Sequence, residues 1–318
     1  SPGGCGCGNL PGIPVRFCGR MKVEVMVPAT TANLGPGFDC LGAALNLYNR
    51  FCFQAGSSGL AIRYRGQDHV SQSQDNLVYR AFCRAFEVAG QGIPPLDLEI
   101  ELQVPLSRGL GSSATAIVGG LLGANALGNL NLSSETLLHL AIAMEGHPDN
   151  VVPALKGGCQ LCVSGSPWVF CPLPWHESVG IVVVVPDFKV ATETARQVLP
   201  QSVSLGDAVY TAAHLGLLIQ GLQQGNGDWL RAALQDRLHQ PARMHLIPGF
   251  RAVQTAGIQQ GAYGVVISGA GPTLLALVPQ GMQAAVGASM VAAWGQMDVR
   301  ATDYALSLSR EGAQVRWL

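Results

Sequence analysis

Ten residues constrain this chain more than any others: Pro105-Leu106-Ser107-Arg108-Gly109-Leu110-Gly111-Ser112-Ser113-Ala114. A period-2 run over residues 96–104 reads as a strand leading into them, and a helix of small residues follows from 114 to about 127. Glycine lets the backbone adopt φ > 0 and come close to an anion, and the helix N-terminus aims unpaired N–H groups at the same point. Ser112 and Ser113 can add hydroxyls for a phosphate or its magnesium ion. The loop is not G-x-x-x-x-G-K-[ST], because no Lys follows Gly111, and not G-x-G-x-x-G, because Ser113-Ala114 stand where the third glycine would be. On G-x-G-S-S alone, a plain glycine turn capped by serine is an equal reading.

The 318 residues are 48% hydrophobic and 12% charged, enough apolar material for one large or two medium domains and no signature of disorder. A net charge of -1 leaves no basic footprint for nucleic acid or for a polybasic membrane contact. The most apolar stretches, 179–185 and 264–278, are too short or too broken by Gly and Pro for the roughly 18 residues a membrane span needs. Nine cysteines lack the regular spacing of a small disulfide scaffold, and Cys5 and Cys7 have no His/Cys pair nearby to complete a zinc site. Cys159 and Cys162 form C-x-x-C in a β-like stretch rather than at a helix start, which favours ordinary thiols over a redox pair. A reduced, cytoplasmic protein is expected. Residues 1–20 are rich in Gly, Pro and Cys without the apolar core of a signal peptide, and are expected to be a disordered extension outside the fold.

Strand patterns are expected at 22–28, 45–53, 60–65, 96–104, 181–185, 263–268, 273–278 and 313–317. Helices are expected at 76–89 with a stop at Gly90, from an N-cap at Ser133 to Glu145 before Pro148, and at 282–294. Asp207 and Asp228 read as N-caps of two more, joined by Gly225-Asn226-Gly227. Strands and helices alternate in both halves, so the class is α/β or α+β with a boundary near 172–180.

The full string P-x-x-x-G-L-G-S-S-A resembles the ATP-binding motif of the GHMP kinases, the superfamily of galactokinase, homoserine kinase, mevalonate kinase and phosphomevalonate kinase. Residues 28–39, PATTANLGPGFD, resemble the first family motif in its homoserine kinase form. Residues 267–273, ISGAGPT, resemble the third, with Ala270 where Ser is usual. The resemblance implies an α+β, two-domain GHMP kinase fold: an extension at 1–20, an ATP-binding ribosomal protein S5 domain 2-like domain at 21–175, and a ferredoxin-like domain at 176–318. ATP would lie along Pro105 to Ala114, with the active site between the domains.

Three further segments resemble homoserine kinases: EGHPDNVVPA at 145–154, PDFKVATETAR at 186–196, and QPAR at 240–243 followed by LIPG. The acceptor would then be L-homoserine, a step toward threonine. By that resemblance Arg196 and Arg243 hold its carboxylate, Asp39 its ammonium group, and Asn33 and His147 position the acceptor end. Two arginines and one carboxylate are the least set that complements an amino acid's charges. Glu145 and Ser112 would bind Mg2+ and, with Asn150, form the catalytic set, while Asp149 is read as structural, since a loose phosphoryl-transfer transition state needs little help from a base. No nucleic-acid or membrane partner is expected, and the sequence leaves the oligomeric state, a homodimer included, open. The rivals are a mevalonate-type kinase, whose acceptor offers Asp39 no ammonium, and an inactive ligand sensor, which need not keep Ser112 and Glu145.

Overall fold

The computed structural model describes residues 22–65 and 71–318. The extension read at residues 1–20 lies outside them. Two sheets organise the described chain. The first is built on a long hairpin, β1 (Lys22–Asn33) and β2 (Gly37–Ala55), whose buried positions alternate at its start. The sheet order is β11-β1-β2-β4-β3, from β3 (Leu60–Arg65), β4 (Leu96–Glu101) and β11 (Gln314–Trp317). β5 (Cys159–Val163) pairs with the Leu41–Ala43 part of β2, and β6 (Val169–Leu173) with β5. Only β3 and β4 run parallel.

Helices α1 (Leu77–Val88), α2 (Ser112–Leu127), α3 (Ser134–Glu145) and α4 (Pro148–Lys156) cover one face of this sheet. The small residues of α2 let the rings of Phe51 and Phe53 rest directly on its backbone at Gly119 and Gly123. The second sheet has order β10-β7-β9-β8, all antiparallel, from β7 (Val179–Pro186), β8 (Gly264–Ile267), β9 (Leu274–Pro279) and β10 (Ala301–Leu306). β7 reads VGIVVVVP and is buried at every position, as an interior strand must be.

α9 (Phe250–Gln259) and α10 (Gln283–Gly295) pack on one face of the second sheet around Trp294 and Met290. On its other face, Leu275 and Leu277 share a core with Leu41 and Leu45 of the first sheet and with α6 (Leu205–Gln224) and α7 (Gly227–Ala233). α5 (Thr192–Gln197) and α8 (Gln240–Arg243) are short helices that bear the two expected arginines.

Several boundaries differ from the sequence expectations. β1 runs past the expected 22–28 to Asn33 through register shifts at Pro28/Ala29 and Ala32/Asn33, so the first motif spans the end of β1, the turn at 34–36 and the start of β2. Pro148 opens α4 at its first turn, where proline's missing N–H costs no hydrogen bond. Ser204 and Asn226, not Asp207 and Asp228, cap α6 and α7; the aspartates sit in the first turns.

Candidate active site

Gly111 caps α2 with φ +66°, and Gly109 has φ +82°. A Cβ on Gly109 would collide with the Ser268 carbonyl oxygen, and one on Gly111 with the Thr30 hydroxyl. Both glycines are therefore required by conformation and by space. The Arg108 guanidinium is taken up by main-chain carbonyls, donating to those of Leu106, Pro186 and Asp187 at 3.0–3.2 Å. Leu110 and Ala114 are buried in the cores on either side.

Four segments far apart in sequence are tied together here by buried polar groups. Thr30 N–H donates to the Leu110 carbonyl at 3.1 Å, and its hydroxyl to Asn150 Oδ1 at 2.8 Å. Ser268 donates its one hydroxyl hydrogen to the Gly109 carbonyl at 2.6 Å, so Thr31 is the donor in the 2.8 Å Thr31–Ser268 bond. Asn33 Nδ2 donates to the Gly269 carbonyl at 2.9 Å. Buried hydroxyls and amides need such partners, so each bond helps to fix the loop.

The resulting cavity is about 130 Å³. At one end lie Ser107, Ser112, Ser113 and Glu145. Ser113 Oγ donates to Glu145 Oε2 at 2.7 Å, while Ser112 Oγ accepts the Ser107 N–H at 3.4 Å. Burial pushes the Glu145 carboxyl above its ordinary range, against the Ser113 hydrogen bond and the His147 charge. Beside it, His147 Nδ1 and Asp149 Oδ1 are 2.7 Å apart. Burial lowers the His147 pKa, but the hydrogen bond and charge of Asp149, with Glu145, outweigh it and the net shift is upward.

At the other end Arg196 makes a two-pronged bond to Asp39, Nη1–Oδ2 at 3.0 Å and Nη2–Oδ1 at 2.8 Å. Asp39 and Asn33 both have positive φ, 55° and 74°, and the Asn33 Oδ1 accepts the Asp39 N–H at 3.0 Å. Arg243 is 2% exposed and donates from Nε to the Ala195 carbonyl and from Nη1 to the Gly269 carbonyl. Burial first, then the Arg196 charge, lowers its pKa. This end therefore carries two guanidinium groups, of which Arg196 is paired with the one carboxylate, Asp39.

The sequence profile described as the GHMP kinases N terminal domain matches residues 76–158, and that of the GHMP kinases C terminal matches 218–296. A homoserine kinase of Synechococcus sp. is 55% identical over 300 residues, covering 93% of this chain and 98% of the relative. One from Nostoc punctiforme is 54% identical over 296 residues, covering 92% and 97%. This chain belongs to the homoserine kinase family of GHMP kinases. A solved homoserine kinase from Cytophaga hutchinsonii superposes with TM-score 0.85 at 30% identity, covering 93% of this chain and 97% of that one.

As a member of the homoserine kinases the chain uses ATP, and its α+β, two-sheet fold is the one the resemblance implied. Of the expected homoserine kinase site, Asn33, Asp39, Ser107, Gly109, Gly111 and Ser112 line the cavity. So do Ser113, Glu145, His147, Asn150, Arg196 and Arg243. Pro105, Leu106, Arg108, Leu110 and Ala114 do not; they shape the loop from behind. Asp149 lines the cavity while engaged with His147.

Thr30, Thr31 and Ser268 were missed by sequence reasoning, as were the lining residues Val190 and Thr192. The first three stood inside the quoted motifs, and threonine or serine in a strand that must bury both faces was the available signal. Cys159 and Cys162 are buried, with burial pushing both thiols up to about 12, which suits inert cysteines. No helix among the described residues is long and apolar enough to cross a membrane.

Proposed function

We propose that the chain transfers the γ-phosphoryl group of ATP to the side-chain hydroxyl of L-homoserine. The observation that carries this reading is the Arg196–Arg243–Asp39 cluster, in one cavity with the glycine loop. Arg243 and Arg196 would take the substrate carboxylate, and Asp39 would share its charge between Arg196 and the incoming ammonium group. Asn33, held by Gly269 and Asp39, and His147, held by Asp149, would fix the position of the hydroxyl.

The loop N–H groups and the N-terminus of α2 would cradle the phosphates, with their φ > 0 geometry set by Gly109 and Gly111. Ser112, Ser113 and Glu145 present only hydroxyl and carboxylate oxygens, a donor set that suits Mg2+, which prefers few protein ligands beside phosphates. When bound there, Mg2+ supplies neutralisation of the charge on the transferring phosphoryl group. Glu145 and Ser112, or Ser113 in its place, would hold it. Asp149 is committed to His147 and needs no role as base, since positioning and charge neutralisation account for most phosphoryl-transfer catalysis.

Arg196→Ala and Arg243→Ala test the reading. Each should weaken homoserine binding by about 2–5 kcal/mol, the usual cost of truncating one partner of a desolvated charge pair. The KM for ATP should change little. Unchanged homoserine KM in both variants would remove the carboxylate assignment.

A further inference from the structure

Behind Arg243 lies a buried histidine that the phosphoryl-transfer reading leaves unused. His239 is 0% exposed and sits just before α8, four residues ahead of Arg243. Its Nε2 is 2.8 Å from the carbonyl oxygen of Gly35, in the turn between β1 and β2, and its Nδ1 is 3.4 Å from Arg243 Nη1. Guanidinium groups only donate and carbonyls only accept, so these partners require a ring with hydrogen on Nε2 and a lone pair on Nδ1. The ring also stacks on Phe38, with centroids 5.1 Å apart, and Arg243 covers Phe38 with its guanidinium carbon 5.1 Å from that ring's centroid.

Arg243 is thus bound through two of its three guanidinium nitrogens. Nε meets the Ala195 carbonyl, and Nη1 meets the Gly269 carbonyl and His239, while Nη2 has no hydrogen-bond partner among the described residues. Arg243 lines the cavity, and a guanidinium held through Nε and Nη1 keeps the Nη2 hydrogens for a ligand. Asp236 anchors the histidine in turn: its carboxylate accepts the N–H groups of Leu238, His239 and Gln240 at 2.7–2.9 Å. The charged groups around the ring are Asp236, Arg243 and Asp39, the last already paired with Arg196.

We propose that His239 is a positioning residue for the acceptor: it ties Arg243 to the β1–β2 turn and so holds Nη2 toward the substrate carboxylate. This rests on the reading of Arg243 as the carboxylate ligand. His239→Phe keeps the stack on Phe38 but removes both polar contacts. Its homoserine KM should rise about 10-fold, as expected for losing a hydrogen bond to a charged group, with kcat and the KM for ATP within about two-fold. His239→Gln carries an acceptor and a donor side by side on its amide and should restore most of the loss.

Arg243→Ala run alongside separates the two claims. If Arg243→Ala raises homoserine KM and a folded His239→Phe does not, the positioning role is wrong while the carboxylate assignment stands. If Arg243→Ala leaves it unchanged, the assignment itself fails. Parallel changes in both KM values, or a glutamine variant no better than phenylalanine, would also overturn the proposal. Should His239→Phe not fold, the ring nitrogens of the wild-type chain decide: 15N NMR between pH 6 and 8 should show a neutral ring protonated on Nε2, and a charged ring would contradict it.

Discussion

Glu145 and Asp149 are acidic neighbours with different partners, and that difference sets their expected behaviour. Among the described residues Glu145 hydrogen-bonds to Ser113 alone and is pushed toward its neutral form by burial, so a cation placed against it would favour its ionised state. Asp149 is bound to His147. Glu145→Gln should therefore lower kcat by about 100-fold, the scale of losing one electrostatic contact at a reacting centre, while homoserine affinity stays within a few-fold. Asp149→Asn should be milder. The reverse ranking in steady-state kinetics would favour base catalysis by Asp149.

His147 offers a second residue-level check. Its folded pKa lies above the ordinary value, so its contribution to stability is complete below the unfolded pKa and is lost as pH rises through the folded one. Melting temperature should accordingly lose a contribution on the alkaline side of that window, and Asp149→Asn should remove it. Ring-proton NMR should show the His147 midpoint falling in that variant; an unmoved midpoint would mean the pair is not formed.

At the scale of elements, the start of α2 concentrates the strongest backbone demand. Gly111→Ala would force a side chain into φ +66° and against Thr30, so stability should fall by about 1–3 kcal/mol and kcat/KM for ATP should drop with it. Thermal melting and ATP titration measure both. Elements whose ends are marked by local chemistry were legible in the sequence. Ser133 caps α3 as read, and β3 spans residues 60–65 as read. Asp207 and Asp228 misled because an aspartate is favoured both as a cap and in the first turn, where each here sits. β10 went unread because ATDYAL is half exposed and lacks clear alternation. α5 and α8, only six and four residues long, carry too few turns for a period to show, although their arginines were readable through the flanking motifs.

In the whole molecule, the cavity forms where the end of the β1–β2 hairpin, the starts of α2 and α4, and the β8–β9 connection meet. The shared core of Leu41, Leu45, Leu275 and Leu277 holds the two sheets together around it, and β11 returns the end of the chain to β1. The lining residues were largely legible because glycines, serines and charged groups stood in recognisable strings. The links Thr31–Ser268 and His239–Gly35 were not, since 237 and 204 residues separate the partners and only the fold brings them together.

Two arginines and one aspartate beside a phosphate loop should select a zwitterionic amino acid. The most direct measurement is ADP release with homoserine, with 4-hydroxybutyrate, which lacks the ammonium group, and with mevalonate, each titrated under one set of conditions. Homoserine should exceed both by at least about 100-fold in kcat/KM, because an acceptor without the ammonium leaves a recognition charge unmatched. Equal turnover of 4-hydroxybutyrate, or preference for mevalonate, would contradict it.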